Sequence, residues 1–514
     1  MHLTDEPAYA QPGIRGAEGS AWDLDRESAA LILCAITTIA LLLRLIGINS
    51  DLWLDEIAPV NQYRALSAFG VITTYTSANN HLMNTLLVKL STSLAGETEW
   101  AVRLPAVLFG VATIPAMYWV IRLAASRVES LCACLLLAVS YHHVFFSQNA
   151  RGYSAYLLFS LVATGLLVRG LEGAGKRTWA GYVVCMFLDL AALLHGFFVL
   201  AGHMIVACGW TISSARRGRP VDPPIRRLVI VFAITGLLGV ALYAAMAVQA
   251  VGTLRTTYTS AGAGMAVTSQ AFRADFLRGL VEGFGPALLL AAPFAIAVVG
   301  FGFLVLVRRK WTLAVSLVTP LMLVMALVLA KHLSASPRFF LLGLPTAFVS
   351  LVLGIFAFAK RVMRWSASDA RPHRASVLAA MIVGIGALAS LSTLRGYYAT
   401  PKQSYRAAVT YLQATRKPGD LIVLIQNAEE GFRFYGTKAG LVEGSDFVAL
   451  RTTDSLDAVR ALGRRLVLVS TLERSLIEEP ALQHRMEAEW KPFMRFPATI
   501  HDGEIRVWQP QTSP

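Results

Sequence analysis

Windows of about 20 apolar residues, each long enough to cross a bilayer as a helix, recur along most of this chain, and few architectures accept such a sequence. About eleven are legible, at 29–48, 102–123, 130–146, 153–168, 179–194, 197–212, 228–248, 286–307, 311–330, 339–359 and 376–394. Hydrocarbon offers no water to an unpaired peptide group, so each window must satisfy its backbone internally. An all-α multi-pass membrane domain is therefore expected. Composition agrees: 55% of the 514 residues are hydrophobic and only 15% charged. The net charge of +14 does not signal nucleic acid, because the Lys and Arg are spread between spans rather than gathered on one soluble face. Cys34, Cys132, Cys134, Cys185 and Cys208 lie in or beside apolar runs, where neither a disulfide framework nor a zinc site is expected.

Every second connection is basic: Arg127; Arg169, Lys176 and Arg177; Arg216, Arg217, Arg219, Arg226 and Arg227; Arg308, Arg309 and Lys310; Lys360, Arg361, Arg364, Arg371 and Arg374. The positive-inside rule assigns these to the cytoplasm, so the N-terminus is expected inside and everything after Leu394 outside. Residues 1–28 have no basic region before a short apolar core; they read as a disordered cytoplasmic tail rather than a cleaved signal. Residues 29–394 form the membrane domain. Residues 395–514 read as a small α/β domain: "YRAAVTYLQATRKPGDLIVLI" is helix, turn and strand, "RRLVLVS" and "EIRVWQ" are strands, and 475–489 is helical. It holds no Gly-rich phosphate loop and no catalytic triad.

On the outer side the ionisable residues gather. The first loop, opening "NSDLWLDE", carries Asp51, Asp55, Glu56, Glu97 and Glu99 beside Trp53, His81, Lys89, Trp100 and Arg103. Segments 56–68 and 82–94 have helical apolar spacing but are too short and polar to span, so they are expected to lie along the interface. Arg273, Asp275, Arg278 and Glu282 fall on another such helix. The turn "SQNARGY" holds Gln148, Arg151 and Tyr153, and "KHLSASPR" holds Lys331 and Arg338. Outer cations work against the orientation rule. A phosphate held at headgroup depth rewards them through charge-assisted, bidentate contacts.

"LWLDE" resembles the Asp-Glu signature of the GT-C glycosyltransferases, in the bacterial branch similar to protein O-mannosyltransferases, aminoarabinose transferases and rhizobial lipopolysaccharide galacturonosyl transferases. "NNHLMNTLLVKLSTSLAGETEWAVRLPAV", "SYHHVFFSQNARGYSAYLLF" and "SPRFFLLGLP" resemble that branch's next blocks, in order. The resemblance implies transfer of a sugar from a polyprenyl-phosphate donor to a glycan, lipid or protein acceptor outside a bacterial inner membrane. Asp55 or Glu56 would be the base, and Arg151, Arg338 and Lys331 the phosphate clamp; His81, Lys89, Gln148 and Tyr153 would support them. Inversion in a single displacement needs only one base. Two positions depart from the pattern: Leu82 follows His81 where the family has Pro, and Asn149 stands where it has Glu. In relatives that use a divalent metal an acid in this turn helps the first-loop Asp to hold it, and an amide is a poorer ligand than a carboxylate for a hard cation, so the resemblance leaves a divalent metal open and assigns none.

The same residues have plainer readings. Asp55 and Glu56 suit the positive end of an interfacial helix, the outer cations suit lipid headgroups, and His81, His143 and His195 suit structural hydrogen bonds. A transporter or flippase of lipid-linked sugars, or a non-catalytic glycan-assembly subunit, is the alternative function. A transporter needs ionisable groups along a membrane path, and the spans hold few, chiefly Arg44 and Asp189.

Overall fold

The computed structural model describes residues 23–77, 79–218, 223–259, 265–266, 269–285, 287–366, 372–450, 452–473 and 479–511. Most of the expected tail, Arg219, Arg371 and residues 475–478 of the expected outer helix lie outside the described residues. Each expected span falls on a helix: Arg26–Leu45, Glu99–Ile121, the pair Arg127–Val139 and Tyr141–Ser147, Tyr153–Leu171, Lys176–Ala192, Gly196–Arg216, Ile225–Ala244, the two arms of Ala287–Lys331, Gly343–Ser366 and Pro372–Ala399. Among the described residues, eight helices are long and apolar enough to cross a membrane, or nine if the pair bent by 61° counts as one span. The count falls below eleven for two reasons. Lys176–Ala192 has only 17 residues, and the 45-residue helix Ala287–Lys331 runs on through Lys310, whose backbone (φ −156°, ψ 78°) breaks it into two arms.

The bundle is closed by small residues and by paired charges. A Cβ on Gly302 would lie 1.7 Å from Ser350 O, and one on Gly354 2.2 Å from Val298 O. Only glycine lets these helices approach so closely. At one end the basic connections are tied by acids: Asp23 accepts from Arg127 N at 2.9 Å, Glu129 pairs with Arg309 at 2.7 Å, and Glu172 pairs with Lys310. Inside the bundle, buried Arg44 donates to Ala40 O, Ala138 O and His143 Nδ1, and Asp189 accepts from Ser160 Oγ at 2.8 Å.

The other end carries the short helices Leu54–Tyr63, Ala68–Thr73, Leu82–Ala95 and Gln270–Phe284. Above them sits the C-terminal region. Its strands Leu421–Ile425 and Leu466–Ser470 pair in parallel, with Phe447–Leu450 parallel beyond the first. Ile505–Pro510 and Trp490–Phe496 extend the sheet antiparallel on the other side. The Lys-Pro-Gly-Asp turn closes as expected: Asp420 N donates to Lys417 O at 3.0 Å, and Gly419 takes a φ of 93° that favours glycine. One hydrophobic core joins Leu52, Ile57, Val60, Val88, Val102 and Ala150 of the membrane-side elements to Tyr405, Val409, Phe432 and Tyr435 of the C-terminal region.

Candidate active site

Asp55 lies in the first turn of Leu54–Tyr63, where the helix dipole favours a carboxylate. Its Oδ2 accepts from Arg151 Nη1 at 2.5 Å and from Arg338 Nη1 at 3.1 Å. Its Oδ1 accepts from Asn79 Nδ2 at 3.1 Å. Burial raises the carboxyl, but the two guanidiniums outweigh it and hold the group below the ordinary carboxylate value.

Arg151 is 3% exposed and uses its whole fork. Nε donates to His81 Nε2 at 3.2 Å and Nη2 to Asn79 Oδ1 at 2.7 Å, and the guanidinium stands 5.1 Å from the centre of the Tyr153 ring. Arginine only donates, so His81 Nε2 must accept; the imidazole is neutral with its proton on Nδ1. Burial, then Arg151 and Arg338, push His81 well below its ordinary value, in agreement. The turn bearing Arg151 is packed to contact: a Cβ on Gly152 would lie 2.0 Å from Ala192 O. Asn84 Nδ2 donates to Ala150 O at 2.8 Å, which further fixes the turn.

Beside this cluster opens a cavity of about 360 Å³ lined by Arg151, His81 and a largely apolar wall that includes Tyr153, Phe198, Leu254 and Phe339. His195 and Arg255 add to the lining. Burial, then the charge of Arg338, lowers His195 to about 4, so it too is neutral. Arg151 and Arg255 set in a largely apolar lining suit an amphiphile with an anionic head.

Glu56, adjacent in sequence, has different surroundings. Its side chain is 0% exposed. Oε1 accepts from Arg103 Nε at 2.9 Å and Ala150 N at 3.1 Å, and Oε2 from Arg103 Nη2 at 2.8 Å. Lys402 Nζ stands 3.5 Å away. Burial raises Glu56, and Arg103 and Lys402 more than reverse this. In this structure Glu56 stands as a buried counter-ion to Arg103 and does not line the cavity beside Asp55.

Three other candidates lie away from the cluster. Lys331 is exposed at the end of its helix and does not line the cavity, because its helix ends before the turn that returns Arg338 to Asp55. Lys89 donates to Arg64 O at 2.9 Å. Gln148 donates to Arg44 O and Ile46 O at 2.8 and 2.7 Å, stapling the end of the first helix. Tyr153 does line the cavity. Sequence reasoning missed Asn79, although the Asn-Asn-His run offered it, and Arg255, another cation against the orientation rule. Asn149 Oδ1 accepts from Trp53 Nε1 at 3.3 Å. Among the described residues no group of three or more His, Cys, Asp or Glu could hold a metal. The donor set of one carboxylate between two guanidiniums does not suit a divalent cation.

Residues 80–243 match the family model described as dolichyl-phosphate-mannose-protein mannosyltransferase. No curated protein sequence matches the chain. ArnT from Cupriavidus metallidurans, solved bound to undecaprenyl phosphate, is 12% identical with a TM-score of 0.50, over 94% of this chain and 98% of that one. The Archaeoglobus fulgidus oligosaccharyltransferase, solved with a tethered acceptor peptide, is 11% identical with a TM-score of 0.54, over 95% of this chain and 74% of that one. This protein is a multi-pass membrane protein with the GT-C glycosyltransferase fold, and its residues 80–243 are similar to the dolichyl-phosphate-mannose-protein mannosyltransferase family model.

Proposed function

We propose that the protein is a membrane glycosyltransferase that moves a sugar, hexosyl or pentosyl, from a polyprenyl-phosphate donor to a hydroxyl of a glycan, lipid or protein acceptor on the outer face of a bacterial inner membrane. The observation that carries this is Asp55 held between Arg151 and Arg338 beside an amphipathic cavity. A polyprenyl tail fits the apolar wall, and its phosphate takes the two arginines. The undecaprenyl phosphate bound by ArnT supports that reading. The basic connections tied at the opposite end of the bundle support an outer site.

In the proposed reaction Asp55 accepts the proton of the acceptor hydroxyl as its oxygen forms a bond to the sugar's anomeric carbon. The bond from that carbon to the donor's phosphate oxygen breaks, and the departing phosphate keeps the electron pair, stabilised by Arg151 and Arg338. A single displacement inverts the anomeric centre.

The test uses the purified full chain in lipid nanodiscs, with a panel of polyprenyl-phosphate sugars and the cell's own glycolipids, polysaccharides and proteins. Release of polyprenyl phosphate with a labelled acceptor is expected, and Asp55→Asn should lower the rate on the order of a hundredfold or more. Movement of lipid-linked sugar across the membrane without transfer would support the flippase reading instead.

A further inference from the structure

The site is held together by a segment far from it in sequence. Gln403 is fully buried; its Oε1 accepts from Leu54 N at 2.7 Å, and its Nε2 donates to Thr471 Oγ1 at 2.9 Å. Thr471 in turn donates to Gly503 O. That hydroxyl has spent its proton on a carbonyl, so it must accept from the amide, which leaves Oε1 facing Leu54. Leu54 N belongs to the first turn of the helix bearing Asp55, one of the N–H groups that no helix satisfies internally. Two residues earlier, Leu52 N donates to Tyr435 Oη at 2.7 Å. Next to Gln403, buried Lys402 donates to Gln148 O at 2.6 Å, three residues before Arg151, and lies 3.5 Å from Glu56.

The geometry points to the C-terminal region as a built part of the active site: Gln403, with Tyr435 and Lys402, is a positioning residue that sets the first turn bearing Asp55 against the turn bearing Arg151. None of the three lines the cavity. Trp53, the residue before the helix, has no side-chain oxygen to cap the first turn, and Gln403 supplies an acceptor there to Leu54 N. Misplacement of the carboxylate by about 1 Å is enough to lower a rate on the order of a hundredfold. This rests on Asp55 as the base, yet its structural part can be read without any reaction.

Gln403→Leu keeps size but removes the acceptor, whereas Gln403→Glu keeps an oxygen for Leu54 N and lets the Thr471 hydroxyl turn to donate. Hydrogen exchange of the full chain in nanodiscs should show faster exchange over 50–60 in Gln403→Leu, with protection retained in strands Leu421–Ile425 and Leu466–Ser470. Gln403→Glu should restore it. Transfer by Gln403→Leu should lose about tenfold to a hundredfold in kcat with the donor KM unchanged, again restored by Gln403→Glu. Unchanged exchange over 50–60, or an equal loss of protection across the C-terminal sheet, overturns the inference. A wild-type chain that transfers no sugar would refute the proposed function alone, since the exchange result still decides this one.

Discussion

Around Asp55 the free protein holds in one cluster the groups that the proposed reaction must separate. Arg151 and Arg338 both spend hydrogen bonds on its Oδ2, so the base is weakest before the donor arrives. A phosphate that draws the two guanidiniums away would let the carboxyl climb back from its lowered value. The acid limb of kcat, which reports the donor complex, is therefore expected at higher pH than that of kcat/KM, which reports the free enzyme. Coincident limbs would mean that the arginines stay on Asp55 throughout. Arg151 also serves His81 and Asn79, and a lysine ammonium cannot reach three partners from one planar fork. Leaving a buried acceptor unpaired costs about 1–3 kcal/mol, so Arg151→Lys should raise the donor KM by roughly tenfold and leave the acceptor KM nearly unchanged. Rates measured against each substrate in turn decide this, and equal shifts in both would remove the phosphate role.

On the helix Leu54–Tyr63 the two neighbouring acids have opposite duties, since successive helical residues point about 100° apart. Glu56 is locked to Arg103 out of water. Glu56→Gln leaves that arginine charged and unpaired, so it should destabilise the protein by about 3–5 kcal/mol, read as a fall in the thermal midpoint in detergent. Its folded pKa lies below the ordinary 4.5, so its stabilisation is full above that value and lost as pH falls through the lowered one. Glu56→Gln should lack that part of the acid dependence, and a variant that unfolds like wild type at every pH would refute the role. This division was not legible in "LWLDE", because burial depends on partners 47 and 346 residues away along the chain. That Arg151 and Arg338 stand as outer cations was legible, since they break the orientation rule, but their ion pairs with Asp55 were not. Spans were legible from apolar length alone, and Leu421–Ile425 and Leu466–Ser470 from unbroken apolar runs. Phe447–Leu450 is only four residues long, too short to stand out. Trp490–Phe496 hides behind Pro492 and two basic residues, which a strand tolerates only at a sheet edge, where it lies.

Across the whole molecule the boundary expected at residue 395 is a change of composition and not a division of the core. Leu52, Ile57, Val60 and Val102 share one buried cluster with Tyr405, Val409, Phe432 and Tyr435, and Arg406 N donates to Asp51 Oδ2 across the same seam at 2.8 Å. Fully burying one such side chain stabilises by about 1.5–3 kcal/mol, so exposing four of them together would remove an amount comparable to the ~5–15 kcal/mol that holds a typical domain folded. A chain ending at residue 399 retains Asp55, His81, Arg151 and Arg338, every residue proposed for the chemistry. It is nevertheless expected to lose transfer, because the loop bearing Asp55 loses its apolar floor and the contacts of Gln403 and Tyr435. Limited proteolysis in nanodiscs should then cut between residues 49 and 101, a stretch that resists in the full chain, while the membrane helices stay intact. Residues 395–514 expressed alone should associate through the uncovered Tyr405 and Phe432 face. A truncated chain whose outer loop resists protease as the full chain does would show that the membrane-side elements hold Asp55 unaided.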